Sequence, residues 1–150
     1  MINKFFFFLT IFLILTSCGY EPIYSTKNLN FTIGNIEKNN TSLNNKFARK
    51  INSLKNKNDS NQIDIKIQSD KEIKIKSKDT KGNALVFELN VILKVSNLEK
   101  IKDKEQIFTK KITYNNSDDK FKLKQYEDEL EDLLITKIVE DLINFLSNIE

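Results

Sequence analysis

From Ile63 to Val95 the apolar side chains fall on alternate positions. Ile63, Ile65, Ile67, Ile73 and Ile75 share one parity of the first half, and Leu85, Phe87, Leu89, Val91, Leu93 and Val95 share one parity of the second. Charged or polar residues fill most of the positions between. A repeat of two places one set of side chains on each face of an extended chain, whereas a helix needs a repeat near 3.6. The stretch is therefore two long strands, each with an apolar and a wet face. Ser69-Asp70 is the one place where the first strand has room for an interruption. Val86 and Ile92 sit on the opposite parity, so the second strand is partly covered on its other face. Asp79-Thr80-Lys81-Gly82-Asn83 separates the two. Gly82 supplies the positive φ that a tight turn needs, and the pair reads as an antiparallel hairpin.

The flanking segments complete a small sheet. Leu29, Phe31 and Ile33 alternate with Asn30 and Thr32, a first strand. Thr41 or Asn40 can cap a helix. Leu43, Phe47, Ile51 and Leu54 then recur at helical spacing, until the polar run KNKNDSNQ stops the helix near Lys57. After the hairpin, Asn97 to Glu105 is a charged loop. Phe108, Ile112 and Tyr114 mark a last strand; Lys110 falls on their face, which implies a wet edge or a bulge. Asn115 to Lys120 is a polar turn. From there to the end, Leu123, Tyr126, Leu130, Leu133, Leu134, Ile138, Leu142, Phe145, Leu146 and Ile149 repeat at three and four. Glu127 to Glu129 and Glu131-Asp132 read as the solvated side of this helix, so Glu131→Ala should leave stability alone while Leu130→Ala should not. The helix is acidic on its polar face, which favours core packing over a membrane surface. The expected architecture is α+β: a two-layer domain of order β-α-β-β-β-α, its four-stranded sheet covered on one face by two helices, with Phe47, Leu89, Leu130 and Leu134 inside.

The first two dozen residues concern location. Lys4 precedes an apolar run from Phe5 to Leu15 broken only by Thr10, and Leu15-Thr16-Ser17 leads to Cys18, the only cysteine. A charged start, a short apolar core and small residues before a cut site make a secretory signal. The run is too short to span a bilayer, which takes about 20 apolar residues. A cysteine directly after the small residues resembles the bacterial lipobox, in which cleavage leaves that cysteine first and lipidated. The expected organisation is a signal peptide over 1–17, a lipidated linker over 18–30 and a folded domain over 31–150. Pro22 keeps helix out of the linker. Gly19 stands where an Asp commonly signals inner-membrane retention, so the expected destination is the outer membrane, facing the periplasm.

Composition narrows the chemistry. The chain has no histidine and no tryptophan, three glycines, and a net charge of +3. The commonest general base is missing, the lone thiol is expected to be blocked by lipid, and no G-x-S-x-G, phosphate loop or metal-spaced cluster occurs. We read the chain as non-enzymatic and without a cofactor. Arg49 is the only arginine. Clustered arginine with interleaved aromatics would suit nucleic acid, and its absence argues against that partner.

With these elements in place, Cys18-Gly19-Tyr20-x-Pro22-x-Tyr24 behind the lipobox resembles the start of the LptE family of lipopolysaccharide-assembly lipoproteins, in the alphaproteobacterial form. The β-α-β-β-β-α order is also that family's. Ile112-Thr113-Tyr114-Asn115 is similar to its Tyr-Asn before the final helix. Members often carry an arginine near the second hairpin, where this chain has lysines. The resemblance implies an outer-membrane lipoprotein, anchored through acyl chains of the palmitate class on Cys18. It further implies association with an LptD-like β-barrel and with lipopolysaccharide. A stand-alone periplasmic lipoprotein with a pocket for a hydrophobic ligand, and a purely structural envelope tether, remain open beside it. For the lipid, the candidate residues are Lys78 and Lys81 flanking the Gly82 turn, where Lys76 adds charge and Asp79 alone opposes. Lys100, Lys102 and Lys104 crowd the next connection, but Glu99, Asp103 and Glu105 weaken their field.

Overall fold

The computed structural model describes residues 31–54, 62–97 and 105–148. The expectations for the leader, Cys18, the linker, Leu29, Ile149 and the connection bearing Lys100, Lys102 and Lys104 lie outside these residues. Six elements follow in the expected order: β1 (Thr32–Lys38), α1 (Ser42–Asn52), β2 (Gln62–Lys78), β3 (Ala84–Asn97), β4 (Glu105–Asn115) and α2 (Lys120–Ser147). They form one sheet of order β1-β2-β3-β4. β1 runs parallel to β2, joined by the α1 crossover that a parallel pair requires. The other neighbours are antiparallel.

Local chemistry sets the helix ends. Thr41 caps α1, its hydroxyl accepting from the Asn44 N–H at 3.2 Å. The helix closes at Asn52, short of Lys57. There the Ser53 N–H donates to the Arg49 carbonyl and the Ser53 hydroxyl to the Lys50 carbonyl. Asp119 caps α2, its carboxylate accepting from the Lys122 N–H at 3.0 Å.

Both helices pack on one face of the sheet. Ile63, Ile65 and Ile67 of β2 with Leu89, Val91, Leu93 and Val95 of β3 meet Phe47 and Ile51 of α1, and Leu130, Leu134, Ile138, Leu142 and Leu146 of α2. Phe108 meets Phe145 edge-on, with ring centres 5.7 Å apart. All four residues expected inside are buried.

Several details depart from the pattern. β2 runs through Ser69-Asp70 without a break. β1 has a register shift between Ile33 and Ile36, which returns Ile36 to the core side. Gly34 sits in this bulge, and a Cβ there would meet the Asp64 carboxylate, which accepts from the Asn35 N–H at 2.5 Å, so a larger residue would have to displace that side chain. The β3–β4 register is unbroken around Lys110, so the edge is wet rather than bulged: Lys110 reaches Asp141 of α2 at 2.6 Å. Ile73 and Ile75 carry the inward parity yet stay exposed, because α1 lies over β1 and the start of β2 only, and Leu85 is exposed where the β2–β3 register shifts between Ser77 and Lys78. Tyr126 and Leu133 are also exposed; the apolar stripe of α2 is broader than the sheet beneath it, and Ile135, Val139 and Ile143 are buried instead.

Candidate ligand-binding surface at the hairpin tip

The β2–β3 turn is built around Asp79. Its carboxylate accepts from the backbone N–H groups of Lys81 and Asn83, each at 2.8 Å, and from Asn83 Nδ2 at 2.9 Å. Gly82 takes φ +88, a left-handed conformation that only glycine adopts without strain. The Asn83 hydrogen bonds hold the Asp79 carboxyl below the usual carboxylate range. The one acid near the candidate lysines is thus committed to the turn.

Lys78 and Lys81 are both exposed, and neither has a carboxylate within ion-pair range among the described residues. Lys76, which the sequence groups with them, instead faces Glu88 at 3.5 Å. The cationic tip therefore rests on two lysines rather than three. The Asn97 end of β3 lies roughly 45 Å from this turn, at about 3.3 Å per residue. The two lysine groups picked out in the sequence are not brought together.

Apolar side chains accompany the tip. Ile75, on the helix-side face, and Leu85, at the register shift beside the turn, are about half exposed, and Phe121 at the start of α2 is 80% exposed. Asn116 ties this end together. Its N–H donates to the Leu85 carbonyl and its side-chain amide to the Ala84 carbonyl, both at 2.8 Å. Tyr114, from the Tyr-Asn pair, is a core residue. It stacks on Phe87 at 5.6 Å, and its hydroxyl donates to Glu127 at 2.6 Å. Burial, with the Glu127 charge, pushes its phenol well above the usual tyrosine range.

A second constellation was not foreseen. Glu131 is buried, not solvated. Lys46 of α1 reaches it at 2.7 Å and Asp132 at 2.9 Å, and Lys71 of β2 also pairs with Glu131. Beside them the Ser69 hydroxyl donates to Asn44 Oδ1 at 2.6 Å, and Asn44 Nδ2 donates to the Asn39 carbonyl. Burial would raise the Glu131 carboxyl, but hydrogen bonds and charge from Lys46 and Lys71 hold it below the usual range. The cluster joins α1, β2 and α2, which is a structural role. Its sequence signal was Ser69 and Lys71 standing on the isoleucine parity.

No family model matches the chain, and no curated protein matches its sequence. Solved structures do share its shape. Rare lipoprotein B from Shewanella oneidensis superposes at TM-score 0.54 and 13% identity, over 77% of this chain and 94% of that one. A minor lipoprotein from Acinetobacter baumannii gives 0.52 and 12%, over 78% and 91%. Lipoprotein B from Nitrosomonas europaea gives 0.52 and 15%, over 85% and 91%. At such identities the likeness is one of fold: this chain has the α+β fold of lipoproteins of the rare lipoprotein B type, across nearly their whole length.

Proposed function

We propose that this chain is a lipid-anchored lipoprotein of the LptE type, held at the periplasmic side of the outer membrane through Cys18. There it associates with an LptD-like β-barrel and assists lipopolysaccharide assembly without covalent chemistry. The observation that carries the ligand half is the hairpin tip: Lys78 and Lys81, free of carboxylate partners among the described residues, at the same end as exposed Ile75, Leu85 and Phe121. A lipopolysaccharide presents phosphates beside acyl chains. Lysine ammoniums act on phosphate as compact point charges, and the apolar side chains offer a dry surface to the acyl chains. The barrel half is supported by the fold shared with rare lipoprotein B structures. It is also supported by the helix-free sheet face, whose Lys66, Glu72, Lys74, Thr109, Lys111 and Thr113 suit a polar barrel lumen.

The test of the ligand half is binding of purified lipopolysaccharide to the mature chain across a salt series, with Lys78→Glu/Lys81→Glu beside the native protein. Exposed charge pairs contribute up to about 1 kcal/mol each, so the double variant should bind roughly tenfold more weakly. Its remaining binding should depend less on salt. Unchanged binding with unchanged salt dependence rules the tip out and leaves barrel scaffolding.

A further inference from the structure

β1 covers only the start of β2. The last register pair is Lys38 with Ile67, and beyond it Gln68–Lys78 has β3 on one side and no strand on the other among the described residues. Such an edge offers a row of unpaired N–H and C=O groups to another strand. Natural edges are often protected by lysine, and this one carries Lys71, Lys74, Lys76 and Lys78. It also carries Asp70 and Glu72, and their placement decides what the edge accepts.

We propose that the Gln68–Lys78 edge pairs antiparallel with the same edge of a second copy of this chain, in the register centred on Ile73. The free window and its charges together favour that register. Lys38, opposite Ile67, closes one end and the Asp79 turn closes the other, so the midpoint is Ile73, with the β2–β3 register shifts confined to the last residues, Ile75 to Lys78. About that midpoint the strand is complementary to itself. Glu72 falls opposite Lys74 of the second copy and Asp70 opposite Lys76, each extending a pair already made within one copy, Glu72 with Lys74 at 2.9 Å and Lys76 with Glu88 at 3.5 Å, and the two-fold axis repeats both. Opposite charges directly across a strand pair stabilise it, and like charges there destabilise it. A shift centred on Lys74 would keep both acids opposite lysines, Glu72 with Lys76 and Asp70 with Lys78, but would set Lys74 against itself; a shift centred on Glu72 would set Glu72 against itself and leave only Asp70 opposite Lys74. On the helix side the pairing brings Ile73, 43% exposed, against its own copy, and Ile75, 51% exposed, against the stem of Lys71. A fully regular pairing of eleven residues would supply about ten backbone hydrogen bonds; the register shifts from Ile75 to Lys78 and the Lys71 N–H, which donates to the Asp70 carboxylate at 2.8 Å, reduce that number. Two four-stranded sheets become one continuous sheet. The self-pairing stands apart from the lipopolysaccharide reading and needs neither Lys78 nor Lys81.

The test uses the mature chain in detergent, in which Cys18 is the only native cysteine and its proposed lipid leaves no free thiol. Ile73→Cys places two thiols directly across the two-fold axis and should give a disulfide-linked dimer in high yield under mild oxidation. Glu72→Cys places each thiol opposite Lys74 and should give little. Glu72→Lys should abolish the dimer in sedimentation, and the swap Glu72→Lys/Lys74→Glu should restore it. A merely sticky strand would show no such rescue. A mature chain that stays monomeric overturns the proposal, whether residues 19–30 of the same chain cover the edge or nothing does. Equal cross-linking from positions 72 and 73 also overturns it.

Discussion

Neighbouring residues on one helix differ in what they hold. Leu130 fills the core between α2 and the sheet, and Glu131 anchors two lysines from separate elements. A buried leucine cut to alanine costs about 2–5 kcal/mol, so Leu130→Ala should lower the melting temperature clearly. Glu131→Ala should also destabilise the fold, by about 1–3 kcal/mol, because it strands partly buried donors. A melt in which Glu131→Ala matches the native protein would return that side chain to solvent. The acid response follows from the same site. The folded carboxyl titrates below its ordinary value of 4.5. Its contribution is therefore complete above that value and is lost as pH falls through the folded one. Native protein should lose more stability than Glu131→Gln on acidification below about pH 4, checked by melts at matched ionic strength.

At the scale of elements, the strands were plain in the alternation and the helices in their three-and-four spacing, because each period reports which side faces the core. Coverage was not legible. Ile73 and Ile75 carry the same parity as Ile65 and Ile67, and only the length and placement of α1 leave the first pair open. Nor could the sequence show that Glu131 would be buried, since its partner Lys71 comes from a strand 60 residues away. Of the candidate site, the turn and its two lysines were readable from Gly82 and its flanks. The loss of Lys76 to Glu88 was not, for that pairing depends on the hairpin register. The caps are local and testable. Thr41→Ala removes the acceptor for the Asn44 N–H and should cost about 1 kcal/mol, read by chemical denaturation with an unchanged slope. No loss at all would mean that the α1 start is held by packing alone.

At the scale of the whole molecule, the layers divide the work. Helices and one sheet face make the core, the other face is mostly polar with Val86, Ile92 and half-exposed Ile107 among its charged residues, and the hairpin tip stands apart with its lysines and apolar side chains. A lipid on Cys18 would tether this body to a membrane, and two or more acyl chains would make the tether durable. The most direct measurement is co-purification of the mature chain from detergent-solubilised membranes of its own cells, with Cys18→Ala alongside. The expected result is a stoichiometric partner of outer-membrane barrel size with the native chain, reduced or absent with Cys18→Ala. A native chain that purifies alone, or only with soluble periplasmic proteins, would contradict the account.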